Sequence, residues 1–253
     1  MVTLTSRADI EAALAGPSLV PLPAGSGPGS ESEGSMAWLR ATVARFAHGE
    51  VHARRRAYVE TELARIDADE LRRLAGGRFG DDRTRVLRSL AQAMGLPELD
   101  DTAVAALCTV ADNYFGGDDP AADDAVKLLL PLMRAGDPEQ AANRVGILVQ
   151  ACDATTALIA AARDGSGDVR ATVLSAPPVQ VMRRIAIAAT RVGTIEIPEG
   201  EPVVLEVGPV GLAFGSGPRV CPGRALALAL AEGALTEGAL IEGASADSPA
   251  PAL

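Results

Sequence analysis

Apolar positions recur at three- and four-residue spacing through most of the chain and give way to short β-branched runs past Pro178. The spacing predicts a short helix at Arg7–Leu14, then a Pro/Gly/Ser-rich flexible loop over residues 17–34. Helical spacing resumes from Trp38 to about Leu74, with Gly49 as a break. It continues in Arg83–Met94, which Gly95 and Pro97 end, and in Asp101–Tyr114 and Ala121–Arg134, with Pro120 suited to the start of the latter. The longest helical stretch is Pro138–Arg163, capped by Asp137. Val179–Ile187, Thr194–Ile197 and Pro202–Val207 read as strands, the last two joined by a turn at Pro198–Glu201. A final helix is expected at Arg224–Leu235, followed by a disordered tail over residues 244–253. The fold class is therefore mostly α with a small β-sheet (α+β), in one domain spanning 1–253.

Composition changes this picture little. At 253 residues one core can bury most of the apolar surface without staples. The net charge of −10 argues against nucleic acid as a partner, because phosphate binding needs a positive surface. Arg carries nearly all the basic charge, Lys127 being the only lysine. The N-terminus lacks a basic stretch followed by an apolar run, and Gln150, Asp153, Arg163 and Glu232 interrupt the most apolar helices. The expectation is a cytoplasmic protein with no membrane span. Three cysteines, Cys108, Cys152 and Cys221, make no close pair, so neither a disulfide framework nor a zinc site is indicated.

Cys221 stands in the run Phe214-Gly215-Ser216-Gly217-Pro218-Arg219-Val220-Cys221-Pro222-Gly223, just before the last helix. A helix N-terminus favours a thiolate, and Gly217 and Gly223 allow close backbone approach and sharp turns. Arg219 suits a carboxylate, and Phe214 can shield a sulfur from water. The plain alternative is a Gly-rich loop around a structural cysteine. This run resembles the F-x-x-G-x-R-x-C-x-G cysteine loop of the cytochrome P-450 monooxygenases. The resemblance implies a compact, truncated cytochrome P-450-like fold binding haem b (iron protoporphyrin IX), with Cys221 as the metal ligand. Phe214, Gly217, Arg219 and Gly223 are then cofactor-binding residues.

The likeness extends along the chain. Arg144–Ala162 resembles the family's long distal helix, whose A-G-x-x-T-T signature appears as Ala151-Cys152-Asp153-Ala154-Thr155-Thr156. It makes Thr155 the candidate proton-relay hydroxyl, with Asp153 replacing the acid that Ala154 lacks. The competing reading is a helix-interior threonine bonding back to a carbonyl. His48 and His52 have i, i+4 spacing that suits a metal, yet Gly49 intervenes and no third ligand is evident. His52 and Arg56 instead resemble the family's His-x-x-x-Arg pair for a haem propionate, unless they form a solvated basic face. Arg184, in the Pro177–Ala186 segment, resembles a further propionate position, giving a clamp of Arg56, Arg184 and Arg219.

The chain departs from the family pattern in length and in three charges. The likeness begins at the family's second strand, the E-x-x-R motif falls on Ala171 and Leu174, and the meander before the cysteine loop is missing with its arginine. Substituting all members of a buried network together is close to neutral, whereas losing one leaves an uncompensated charge. The resemblance implies a monooxygenase acting on a small organic, secondary metabolite, placed against Cys152–Thr156 and the Pro17–Trp38 loop. A ferredoxin–reductase pair is the implied electron donor, and a homodimer is a possible source of pocket walls. Peroxide-driven oxidation, a non-oxygenating rearrangement or dehydration, and a non-catalytic haem protein are the alternatives.

Overall fold

The computed structural model describes residues 1–22, 32–77, 79–117 and 119–246, with side chains through residue 236. Residues 23–31 of the expected loop and 247–253 of the expected tail lie outside the described residues. Short acceptor side chains start most of the helices by taking a free backbone N–H of the first turn. Ser6 caps α1 (Arg7–Ala15) and Ser35 caps α2 (Met36–Thr42). Asp67, Asp81 and Asp100 do the same for α4 (Ala68–Ala75), α5 (Asp82–Ala93) and α6 (Asp101–Asn113). Asp137 caps α8 (Pro138–Asp164), as the sequence predicts, and Asp168 caps α9 (Val169–Ser175). α7 (Ala121–Leu129) follows Pro120 and tightens into a 3₁₀ turn at Leu130–Met133.

α3 (Gly49–Ala64) corrects one expectation. Gly49 does not break a helix but begins one, at φ 59°, directly after His48 in an extended conformation. His48 is therefore the residue that precedes α3, and His52 lies inside it, its backbone N–H bonded to the His48 carbonyl at 3.3 Å. The helix α9 escapes periodicity because seven residues make only two turns.

A four-stranded sheet has the order β1-β6-β3-β2, from β1 (Val2–Leu4), β2 (Leu19–Pro21), β3 (Met182–Ala186) and β6 (Pro202–Leu205). β1 runs parallel to β6, with Val2 opposite Val203 and Leu4 opposite Leu205. β3 is antiparallel to both β6 and β2, with Arg184 opposite Val203 and Pro21. β2 forms inside the segment expected to be a flexible loop. Pro21 suits an edge strand, where no ladder N–H is needed. A separate hairpin joins β4 (Thr190–Val192) to β5 (Ile195–Ile197) across Gly193 at φ 57°.

Two apolar clusters result. The sheet and α1 close over Leu4, Ile10, Leu14, Val203, Leu205 and Val207. The helices share the larger one, in which Leu107, Leu129, Leu148, Leu158 and Ile159 are almost fully buried. α8 is long and apolar enough to cross a membrane, yet 56% of its most apolar window is buried inside this fold. The last helix, α10 (Arg224–Ala246), packs against α4, α5 and α8. It meets α4 at Gly233, where a Cβ would collide with the Arg72 carbonyl oxygen and lie 2.9 Å from Ala75 Cβ.

Gly233→Ala should therefore destabilise the protein. Helix propensity returns about 1 kcal/mol, but overpacking against rigid backbone costs about 1–3 kcal/mol. Urea unfolding should show a lower midpoint for the variant, and an unchanged or higher midpoint would contradict the contact.

Candidate functional site

After β6 the chain turns through Val207–Ala213 into the cysteine loop. Gly215 at φ 73° and Gly217 at φ 64° adopt conformations that side chains disfavour, which explains the glycines there. A 3₁₀ turn at Gly217–Arg219 follows, and the Cys221 N–H donates to the Phe214 carbonyl at 2.8 Å, closing the loop. Gly223 differs from Gly215 and Gly217 in its backbone. Its φ is ordinary, and a Cβ there would meet only Leu63 Cδ1, at 3.8 Å. What matters is its backbone, whose N–H faces the Cys221 sulfur and whose carbonyl accepts the Ala227 N–H of α10 at 2.8 Å.

The Cys221 thiol is raised above its ordinary range by burial, against the pull of the Gly223 N–H, Arg56 and Arg224. The helix N-terminus alone does not make it a thiolate. A metal ion at the sulfur would favour loss of the thiol proton. Arg224 also lies over the Phe214 ring, its guanidinium carbon 5.4 Å from the centroid.

Four arginines converge on this loop. Arg56 of α3 donates to the Val220 carbonyl at 2.6 Å and to Glu60 at 2.6 Å. Arg219 donates to the Ala47 carbonyl at 2.8 Å. Arg184, on β3, is 4% exposed, bonds only the Arg183 carbonyl among oxygen acceptors, and leaves its Nε buried without a partner. Arg45, which the sequence reading missed, lies over Phe46 and Phe115 at 5.5 Å from each centroid. Burial and then the neighbouring cations lower Arg184 and Arg219 to about 10. Among the described residues, Arg45, Arg184 and Arg219 meet no carboxylate. His52 is lowered to about 4 by burial, then by Arg219 and Arg56, with Glu60 opposing. Its imidazole is thus neutral at pH 7 and offers an N–H donor.

On α8, Thr155 is 2% exposed. Thr61, Thr109 and Thr172 bond back to the carbonyl four residues earlier, but Thr155 makes no such bond among the described residues. The neighbouring Thr156 hydroxyl is buried and unpartnered. Asp153 stands elsewhere. Residues two apart project to nearly opposite faces of a helix, and Arg83 of α5 holds this carboxylate at 2.6 Å. The same Arg83 nitrogen donates to Asp112 of α6 at 2.5 Å. The expected partnership of Asp153 with Thr155 therefore does not form. Cys152 neighbours Cys108 on α6 and Arg83. Two open clefts, of about 330 and 540 Å³, are lined by neither Cys221 nor Thr155.

Neither a family model nor a curated protein sequence matches the chain. Solved structures do match. One is P450BioI in complex with an acyl carrier protein ligated to hexadec-9Z-enoic acid, at TM-score 0.68 and 12% identity, covering 96% of this chain and 85% of that one. Cytochrome P450 TxtC matches at TM-score 0.65 and 15% identity, covering 99% and 87%. A thermophilic cytochrome P450 from Sulfolobus tokodaii gives 0.64 and 15%, covering 91% and 84%. The chain has the cytochrome P450 fold.

The P450 fold implies haem, and the residues at the cysteine loop fit it. A sulfur flanked by an N–H and two guanidinium groups suits an iron ligand. Buried guanidinium groups with an orphaned Nε and no carboxylate suit two propionates, because an uncompensated buried charge is costly. The missing E-x-x-R residues leave no buried gap in this P450 fold, since Leu174 is 72% exposed.

His52 should titrate near pH 4 by NMR in the haem-free protein, and Arg219→Gln should move it toward 6.5 by removing a cation. Because folding depresses this pKa, the unfolded state binds the proton first. Stability should fall as pH drops from about 6.5 to about 4, and a flat stability profile there would contradict the burial of His52.

Proposed function

We propose that this P450-fold chain is a haem-thiolate oxidoreductase of the cytoplasm, a compact monooxygenase acting on a small organic metabolite, with 1–253 forming one haem-binding domain. One observation carries the reading. The cysteine loop brings Arg219 and Cys221 together, Arg56 bonds the Val220 carbonyl beside Cys221, and Arg45 and Arg184 neighbour Arg219 with no carboxylate on these three among the described residues. The solved structures support the fold at 12–15% identity, so the activity rests on these residues.

When bound, haem b supplies an iron whose thiolate ligation favours cleavage of an O–O bond. The chain's own groups do the rest. Cys221 gives up its proton, and the Gly223 N–H with Arg56 and Arg224 holds the resulting negative charge. Phe214, beneath Arg224, limits water at the sulfur. Arg45, Arg184 and Arg219 hold the propionates, with neutral His52 donating an N–H. The Thr155 hydroxyl, free of a backbone acceptor, holds and passes a proton on the α8 side.

A second reading has one observation in its favour. Arg83 keeps Asp153 from Thr155, so the relay has no carboxylate behind it. An oxidant that brings its own oxygen and protons, such as a peroxide, needs less from that relay than an electron-driven reaction does.

The absorption spectrum of the reduced, carbon monoxide-treated holoprotein should show a strongly red-shifted Soret band, absent in Cys221→Ser. Failure to take up haem would overturn the proposal. Turnover with hydrogen peroxide against a ferredoxin–reductase pair separates the two readings, and Thr155→Ala should slow the electron-driven one by about 10²-fold or more.

A further inference from the structure

α6 and α8 pack side by side, and one arginine staples them together. Arg83 Nη2 reaches Asp112 Oδ1 at 2.5 Å and Asp153 Oδ1 at 2.6 Å. Cys108 lies one turn before Asp112 on α6, and Cys152 immediately precedes Asp153 on α8. The staple thus holds the two thiols as neighbours across the α6–α8 contact. Cys108 is half-buried and Cys152 is fully buried. Cys221 has Arg56 and Arg224 as its charged neighbours and no second thiol.

We propose that Cys108 and Cys152 form a redox-active dithiol that a hydroperoxide closes to a disulfide joining α6 to α8. The more accessible sulfur, Cys108, attacks the peroxide, becomes a sulfenic acid and releases water. Cys152 then attacks that sulfur, the S–S bond forms and a second water leaves. Two thiols and one hydrogen peroxide give one disulfide and two waters, so the two electrons taken from sulfur reduce the O–O bond. Arg83 is the cation that favours the thiolate of either cysteine. Burial opposes it, raising both thiols and pushing Cys152 up to about 12, with Asp81 and Asp112 acting on Cys108 and Asp153 on Cys152 in the same sense. Attack by Cys108 therefore quickens as pH rises. Cys152 is also one turn before Thr155, so the cross-link fixes the part of α8 assigned to proton relay. The inference does not depend on haem binding.

The test uses the full-length protein treated with excess hydrogen peroxide above neutral pH, then alkylated, digested and mapped by mass spectrometry. A Cys108–Cys152 cross-linked peptide is expected, reversed by dithiothreitol, absent from Cys108→Ser and Cys152→Ser, and retained in Cys221→Ser. Thiols that all remain alkylatable, a sulfinic acid at Cys108 beside a free Cys152, or a cross-link to Cys221 would each overturn the proposal. Should a serine variant fail to fold, the map of the unsubstituted protein decides the matter.

Discussion

The site gathers positive charge that no carboxylate of the described residues neutralises at Arg45, Arg184 or Arg219. Arg45, Arg184 and Arg219 come together from the α2–α3 connection, β3 and the cysteine loop, with His52 and Arg56 of α3 beside them. Glu60 answers Arg56, and backbone carbonyls answer the rest in part. Carbonyl oxygens orient a guanidinium group but do not cancel its charge, so this arrangement stores repulsion until an anion enters.

Elsewhere the molecule pairs its arginines freely. Glu139 takes Arg54 and Arg55, the buried Glu62 takes Arg144, Glu232 takes Arg72 and Arg170, and Asp82 takes Arg163. With 33 acidic against 23 basic residues, carboxylates are not scarce. Among the described residues, none stands against Arg45, Arg184 or Arg219. Under the proposed function these arginines would hold the ligand's charge, and their neighbour Arg56 bonds the backbone beside Cys221.

α8 divides its surface between two roles. One face carries Arg144, which bonds Glu62 of α3 at 2.8 Å, and further along it Thr155. The other carries Asp153, drawn toward Arg83 and Asp112, while Cys152 lies between the two faces beside Cys108. The compact P450 fold also tolerates its missing charges for a plain reason. Leu174 sits on the surface of α9, where no buried partner is left unpaired.

Most of the helices were legible in the sequence because long amphipathic segments repeat their apolar residues and because Asp137 and Pro138 mark a start. The cysteine loop was legible too, since its glycines, arginine and cysteine are local and closely spaced. Three-residue strands such as β1 and β2 were not, because alternation needs more residues than they have and their pairing comes from β6 and β3. Tertiary structure alone decided which charges meet. Arg45 carries no signal in its own neighbourhood, and its role comes from segments more than a hundred residues away. The same holds for Asp153, whose sequence position suggested Thr155 as its partner while helix geometry and Arg83 turned it to the opposite face. Periodicity and capping act over one or two turns, whereas burial and Coulomb forces act on whatever the packed chain brings together.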